Sequence, residues 1–354
     1  MQRFIVPDLD GSISGGTLYN RLLIAALKKA ECPCDVLPMG RAATELASAS
    51  GLDGYWVDSL YLDQLPRLGR VARPGTRLGL ILHYLPSLVA HGDGIGPWDV
   101  TPSEAAALQA ATMFLVPSPF MRGVLHRLLG PAPQVVLVEP GRPVPAASSP
   151  PIPPLRAIMV ANLVAGKGVE RCLASLAEQM RETDSLHISI VGGQERDPGY
   201  TERCRALASH PRLRGRARLL GEQSHEQSLW VMAASNVLVS CSVMESYGMA
   251  LMEARVFGVP ILAQRGGHVA AMVGSDSGGE LFEHAADLVA SLLLLCRNPT
   301  EHRRRMALAC AQVLPARPWS AAASEFVSQV AKLDKRGARA QGEPTHQEGL
   351  HGVG

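Results

Sequence analysis

The stretch "CSVMESYGMALMEARVFGVPILA", residues 241–263, decides how this chain is read. A strand-like run, "SNVLVSCS", leads into it, and a Gly-Val-Pro stop followed by a second apolar run closes it. The pattern predicts a helix that begins about Tyr247 or Gly248, runs through "MALMEARVF" and ends at Gly258, with Pro260 two residues beyond. Glu253 then lies in mid-helix and Glu245 in the loop before it, eight positions apart. Eight residues of helical rise cover about 12 Å, the scale of a sugar hydroxyl, a diphosphate and a ribose hydroxyl in line. Carboxylates accept paired hydrogen bonds from vicinal hydroxyls, and the free N–H groups of Gly248 and Met249 suit an anion between them. The plainer reading is that Glu245 caps the helix and Glu253 is a solvated helix residue.

Outward from this stretch, short apolar runs alternate with helical segments. Before residue 141 come "RFIVPDL", "LGLILHYL", "ATMFLVPS" and "QVVLVEP"; after residue 154 come "LRAIMVANL", "LHISIVGG", "ARLLGE", "SNVLVSCS" and "GVPILAQ". Runs without polar alternation suit strands buried on both faces, so two α/β units with parallel sheets are expected. The proline-rich "GRPVPAASSPPIPP" (141–154) can sustain neither a helix nor a central strand and reads as a linker. The tail after about residue 335 is polar and glycine-rich, and is expected to be disordered.

Composition narrows the classes. The chain has 354 residues, enough for two domains, and 47% of them are apolar against 19% charged. That is globular, and no apolar run approaches the ~20 residues of a membrane span. A net charge of +2 supplies no general field for nucleic acid; "RLRGRARLL" and "HRRRM" read as solvated faces, with contact to an anionic membrane surface kept as an expectation. Asp8 and Asp10 interrupt any leader-like start, and seven scattered cysteines offer no zinc spacing, so a reducing cytoplasm and no metal are expected.

In parallel sheets ligands sit beyond the carboxyl ends of strands. Gly15 and Gly16, after the first strand, either let the backbone approach a phosphate or form an ordinary turn; they are not a G-x-G-x-x-G loop. Lys167 stands in a Gly-Lys-Gly loop that opens a helix, where an ammonium can reach a diphosphate, although the loop is no Walker A motif.

Together these features resemble the retaining glycosyltransferases of family 4 (glycosyl transferases group 1), whose E-x7-E signature is matched here by Glu245 and Glu253. The resemblance covers nearly the whole chain: "SGGTLYNRLL" is similar to the family's N-terminal glycine loop, "VPSPFMRGVL" to its serine segment, and "VVLVEPGRPV" to the turn before the linker. "ANLVAGKGVERCL" resembles its lysine loop, "GGHVAAMV" its second glycine turn, and "RPWSAAASEFVSQVAKL" its closing tryptophan and helix.

The resemblance implies a GT-B fold, two Rossmann-like domains with parallel sheets facing an interdomain cleft. Its parts would be an acceptor-binding domain at 1–145, a linker at 146–154, a nucleotide-sugar-binding domain at 155–316, a helix at 317–334 returning toward the first domain, and a tail at 335–354. It implies transfer of a sugar, with retention, from a nucleotide-diphosphate sugar, UDP-sugar favoured, to a small-molecule, glycan or lipid-linked acceptor, without metal or other cofactor. Glu245 would contact the donor sugar, Glu253 the ribose, and the backbone of Tyr247, Gly248 and Met249 the diphosphate. Lys167 would neutralise the leaving phosphates, Gly15 and Gly16 would allow close approach, and His83 would stand near the reacting carbon. Cytoplasmic residence, peripheral to the inner membrane face, is the matching location.

Three departures are visible. Ala161 and Asn162 stand where the family usually has Gly-Arg, so that Asn162 would bind the donor through a neutral hydrogen bond in place of a cation; Ala270 stands where it commonly has glutamate, and the segment from Gly40 to Pro74 follows no family pattern. They keep two alternatives open: a nucleotide-sugar-binding protein without transferase activity, and an epimerase or hydrolase of the same fold.

Overall fold

The computed structural model describes residues 1–9, 11, 13–49, 53–131, 133–145 and 154–342, with side chains to 333. Most of the expected linker, residues 146–153, and the tail from 343 lie outside the described residues.

Two six-stranded sheets form, all of their paired strands parallel. The first holds β1 (Gln2–Ile5), β2 (Cys34–Val36), β3 (Gly54–Asp58), β4 (Arg77–Ile81), β5 (Met113–Val116) and β6 (Val135–Leu137), in the order β2-β1-β3-β4-β5-β6. The second holds β7 (Leu155–Val160), β8 (Leu186–Val191), β9 (Ala217–Gly221), β10 (Val237–Ser240), β11 (Ile261–Gln264) and β12 (Glu280–Phe282), in the order β12-β11-β10-β7-β8-β9. Parallel neighbours require crossovers, which the intervening helices provide. Each sheet has a core on both faces, which is why its strands read as unbroken apolar runs.

Three strands are absent from the sequence reading. β2 and β12 are three-residue edges, too short to show a period. β3, "GYWVD", is central and wholly buried, and it lies inside the segment that matched no pattern. Its Tyr55 and Val57 face one core and Trp56 the other. Gly79 on β4 makes room for the indole, since a Cβ there would stand 2.5 Å from Trp56 Cε3.

The closing helix, Trp319–Gly342, crosses back to the first sheet. Ala322, Ala323, Phe326 and Val330 are buried there, and the Phe326 ring lies 5.9 Å from Phe4 and 5.3 Å from Trp56. Its backbone continues to Gly342, into the stretch expected to be tail. Among the described residues no helix is long and apolar enough to cross a membrane.

Candidate functional site

Strand order fixes where a ligand can sit. In the first sheet the chain leaves β1 toward β2 on one side and returns to β3 on the other; in the second, β8 and β9 lie on one side of β7 and β10 on the other. At such switch points the loops after adjacent strands diverge and leave a crevice. Gly15 and Gly16 follow β1, Asp58 ends β3 and Ser59 follows it, Asn162 and Lys167 follow β7, and Glu245 follows β10. The two crevices face each other.

Lys167 Nζ lies 2.6 Å from Glu245 Oε1, although 78 positions separate them. Val243 N–H donates to the Gly166 carbonyl at 3.0 Å and ties the two loops together. Gly168, at φ 68°, takes the left-handed turn into the helix Val169–Gln179; a Cβ there would meet the Cys241 carbonyl at 2.2 Å. Gly267, at φ 67°, lets its loop lie against Glu245, whose carbonyl accepts from His268 N–H at 2.7 Å.

The decisive helix spans Met249–Val256, with Gly248 at φ 86° as its N-cap and no side chain capping it. Its first amides are therefore open toward the crevice, where the helix dipole favours an anion. At the other end Val259 N–H returns to the Ala254 carbonyl across Gly258, at φ 65°, which closes the helix. The Tyr247 ring turns inward and stacks on His268, centroids 5.5 Å apart, and burial raises its phenol to about 12. Only its backbone is available to a ligand.

Glu253 is not solvated. It is 4% exposed, and His225 Nε2 lies 2.7 Å from its Oε1. Asn162 is also committed: its Oδ1 accepts from Gly193 N–H at 2.8 Å and its Nδ2 donates to the Ile13 carbonyl at 3.0 Å. Ile13 N–H in turn donates to Glu222 Oε1 at 3.2 Å, so one residue of the first unit is clasped at both polar groups by the second. Ser118 Oγ–H donates to the Ser246 carbonyl at 2.5 Å, and Gly267 N–H to Asp93 Oδ1 at 2.7 Å, as further ties between the units.

His83 lies under Gly16. A Cβ on Gly16 would stand 3.1 Å from the imidazole Cγ and Cδ2. Asp58 accepts from Asn20 Nδ2 at 2.5 Å, which turns Asn20 Oδ1 toward His83 Nε2 at 2.9 Å. The imidazole then carries its proton on Nε2. Burial lowers its pKa, with Asp58 opposing the shift, so the ring is neutral at pH 7.

Two clefts meet along a wall made by Ser14, Gly15, Lys167, Glu245, Gly248 and Met249. The smaller, about 150 Å³, reaches Asn162, Glu222, His225 and Glu253. The larger, about 460 Å³, reaches Gly16, Asp58, His83 and Tyr247. Asn162, Glu253, His83 and the Lys167–Glu245 pair are thus brought around one connected space. His225, Glu222, Asn20 and Asp58 escape the sequence reading; a polar Asn20 on the apolar face of its helix is the only signal that could have found one of them.

Residues 147–311 match the family described as glycosyl transferases group 1. The D-inositol 3-phosphate glycosyltransferase of Corynebacterium diphtheriae is 30% identical over 174 residues, which are 48% of this chain and 40% of that protein. Its namesake in Corynebacterium efficiens is 28% identical over 181 residues, 49% of this chain and 43% of that protein. The matched stretch is therefore less than half the length of these curated relatives. Among solved structures, a sucrose-phosphate synthase from Thermosynechococcus elongatus superposes with a TM-score of 0.70 at 19% identity, covering 96% of this chain and 99% of that one. Anabaena HepE, in complex with UDP and glucose, gives 0.68 at 15% identity, covering 94% and 100%. The fold is GT-B.

The matched stretch carries Lys167, Glu245 and Glu253, and it holds Asn162 and Ala270 where the resemblance implies arginine and glutamate. Asn162 has become part of the clasp on Ile13, whereas Ala270 is exposed on the short helix Val269–Met272.

Proposed function

We propose that the chain transfers a sugar from a nucleotide-diphosphate sugar, UDP-sugar favoured, to a small-molecule, glycan or lipid-linked acceptor, with retention at the anomeric carbon. The observation that carries this reading is the Lys167–Glu245 pair, 2.6 Å apart, beside the uncapped start of the helix Met249–Val256 and on the wall that both clefts share. A diphosphate laid against the open amides meets backbone donors of Gly248 and Met249 and the Lys167 ammonium. Preorganised donors of this kind cost no reorganisation as charge grows on the leaving oxygen. Binding then moves Lys167 from Glu245 to phosphate and leaves the Glu245 carboxylate to accept from sugar hydroxyls. Glu253, oriented by His225, accepts from the ribose. Neutral His83, held by Asn20 and packed on Gly16, sits across the larger cleft beside the sugar.

The acceptor enters from the larger cleft, and its proton passes to the departing phosphate oxygen, so no enzyme carboxylate attacks. This differs from the paired carboxylates of glycosidases. The interdomain ties through Ile13, Ser118 and Gly267 support a closed cleft that keeps water from the donor. The reading includes no resident metal. The cysteines form no disulfide among the described residues, which accords with a cytoplasmic site of action.

The test offers the purified protein a panel of nucleotide sugars with candidate acceptors and follows nucleotide release and the anomeric configuration of the product. Donor binding without transfer to any acceptor, or a product of inverted configuration, would overturn the reading.

A further inference from the structure

The larger cleft is lined by three groups able to carry positive charge: His83, Lys167 and Arg196. The first two are spoken for. Burial keeps the His83 imidazole neutral, and the Lys167 ammonium, paired with Glu245 here, is the cation that the proposed function already assigns to the diphosphate. Arg196, on the loop between β8 and the helix Pro198–Ala208, is exposed and forms no hydrogen bond or ion pair among the described residues.

The carboxylates of the cleft do not answer it either. Asp58 is buried and accepts from Asn20 Nδ2 and from Leu60 N–H at 2.7 Å, and Glu245 holds Lys167. The smaller cleft, by contrast, is lined by Glu222, Glu245 and Glu253 against Lys167 as its one fixed cation. Phosphoryl charge is repelled from that end and drawn toward the junction and the larger cleft. Asn162, at the position where the resemblance implies a second phosphate-binding cation, is neutral and tied to Gly193 and Ile13.

We propose that Arg196 is a phosphate-binding residue of the larger cleft and grips a phosphoryl oxyanion, either of the donor diphosphate or of a phosphorylated acceptor. The inference rests on the nucleotide-sugar reading of the same site. A guanidinium suits it: it stays charged at all working pH values and presents a planar pair of N–H donors to two phosphate oxygens. The cation has moved from the loop after β7 to the loop after β8, and Asn162 is released to clasp the first unit.

Isothermal titration of the full chain with UDP and UMP, and of the UDP-saturated protein with inorganic phosphate, separates the possibilities. A donor role predicts that Arg196→Ala lowers the preference for UDP over UMP by about tenfold or more, the worth of a charge-assisted hydrogen bond. An acceptor role predicts an unchanged UDP preference and loss of phosphate binding to the UDP-saturated protein. Arg196→Lys, which keeps the charge without the planar fork, recovers part of either effect and serves as the readout should the alanine variant melt early. Titrations of Arg196→Ala that match the wild type in both respects overturn the proposal. A wild-type protein that binds none of UDP, GDP or ADP overturns the nucleotide reading itself, whatever Arg196 does.

Discussion

His225 Nε2 and Glu253 Oε1 lie 2.7 Å apart at the floor of the smaller cleft, and this contact changes what Glu253 is. A carboxylate in mid-helix is ordinarily a solvated residue, but this one is buried and held by an imidazole from the preceding helix. Glu253→Gln, which keeps the shape and an acceptor oxygen, should leave the melting temperature nearly unchanged. Affinity for the nucleotide should fall roughly tenfold, the worth of a hydrogen bond from a ribose hydroxyl to a charged acceptor. Glu253→Ala should also cost about 1–2 kcal/mol of stability by stranding His225. Calorimetry on both variants checks the pair; a large loss of stability with unchanged affinity in the glutamine variant would assign Glu253 a purely structural role.

Lys167→Ala should lower kcat by about 10²–10³ while barely moving the melting temperature. Its ion pair with Glu245 is partly open to solvent, and pairs of that kind contribute about 1 kcal/mol at most. Steady-state kinetics and thermal melts on one preparation decide it; a kcat within a factor of two of wild type would remove Lys167 from the chemistry.

Neighbouring glycines should behave differently. A Cβ on Gly16 meets the His83 ring at 3.1 Å, tighter than ordinary contact, whereas one on Gly15 meets only Met249 Cγ at 3.7 Å. Gly16→Ala should displace the imidazole and lower kcat; Gly15→Ala should be tolerated. Gly267→Ala is the most severe, since it combines φ 67° with a clash 2.3 Å from the Glu245 carbonyl. Activity in the order Gly15→Ala, Gly16→Ala, Gly267→Ala is the expected result, and equal activities for the first two would show that the His83 contact is idle.

Acidification should destabilise the fold in a defined window. Burial lowers the pKa of His83, His268 and His302, so the folded state resists protons that the unfolded chain accepts near pH 6.5. Stability from these groups is complete above that value and is lost as pH falls through it toward the folded pKa, at up to ~1.4 kcal/mol per pH unit for each ring. Glu301, held at about 2 by Arg304 and Arg305, titrates well below this range. Thermal melts between pH 7.5 and 5.5 should show the slope, and His302→Gln, remote from the clefts, should flatten it. A melting temperature independent of pH would contradict the assignment.

The amino-acid sequence by itself determined the elements and the chemistry of the loops. Unbroken apolar runs at strand spacing set two parallel sheets, because a strand covered on both faces has no use for polar alternation. Gly258 and Pro260 ended the decisive helix, because a left-handed cap and a missing amide cannot continue one. Local signals of that kind act over a few residues, and they placed Glu245, Glu253, Lys167 and the two N-terminal glycines on the loops and helix starts that line the clefts.

Tertiary structure alone decided who meets whom. Asn162 was legible as a missing cation but not as a clasp on Ile13, since the partners are 149 positions apart and share no periodic signal. His225, Glu222 and Asn20 are ordinary polar residues until strand order carries them into the crevice. β3 stayed hidden because one aromatic pentapeptide has no period long enough to read, and its central place comes from the room that Gly79 leaves for Trp56. Segment by segment the chain specified secondary structure; the packing of two switch points against each other turned a capped helix with two glutamates into one wall of a binding cleft.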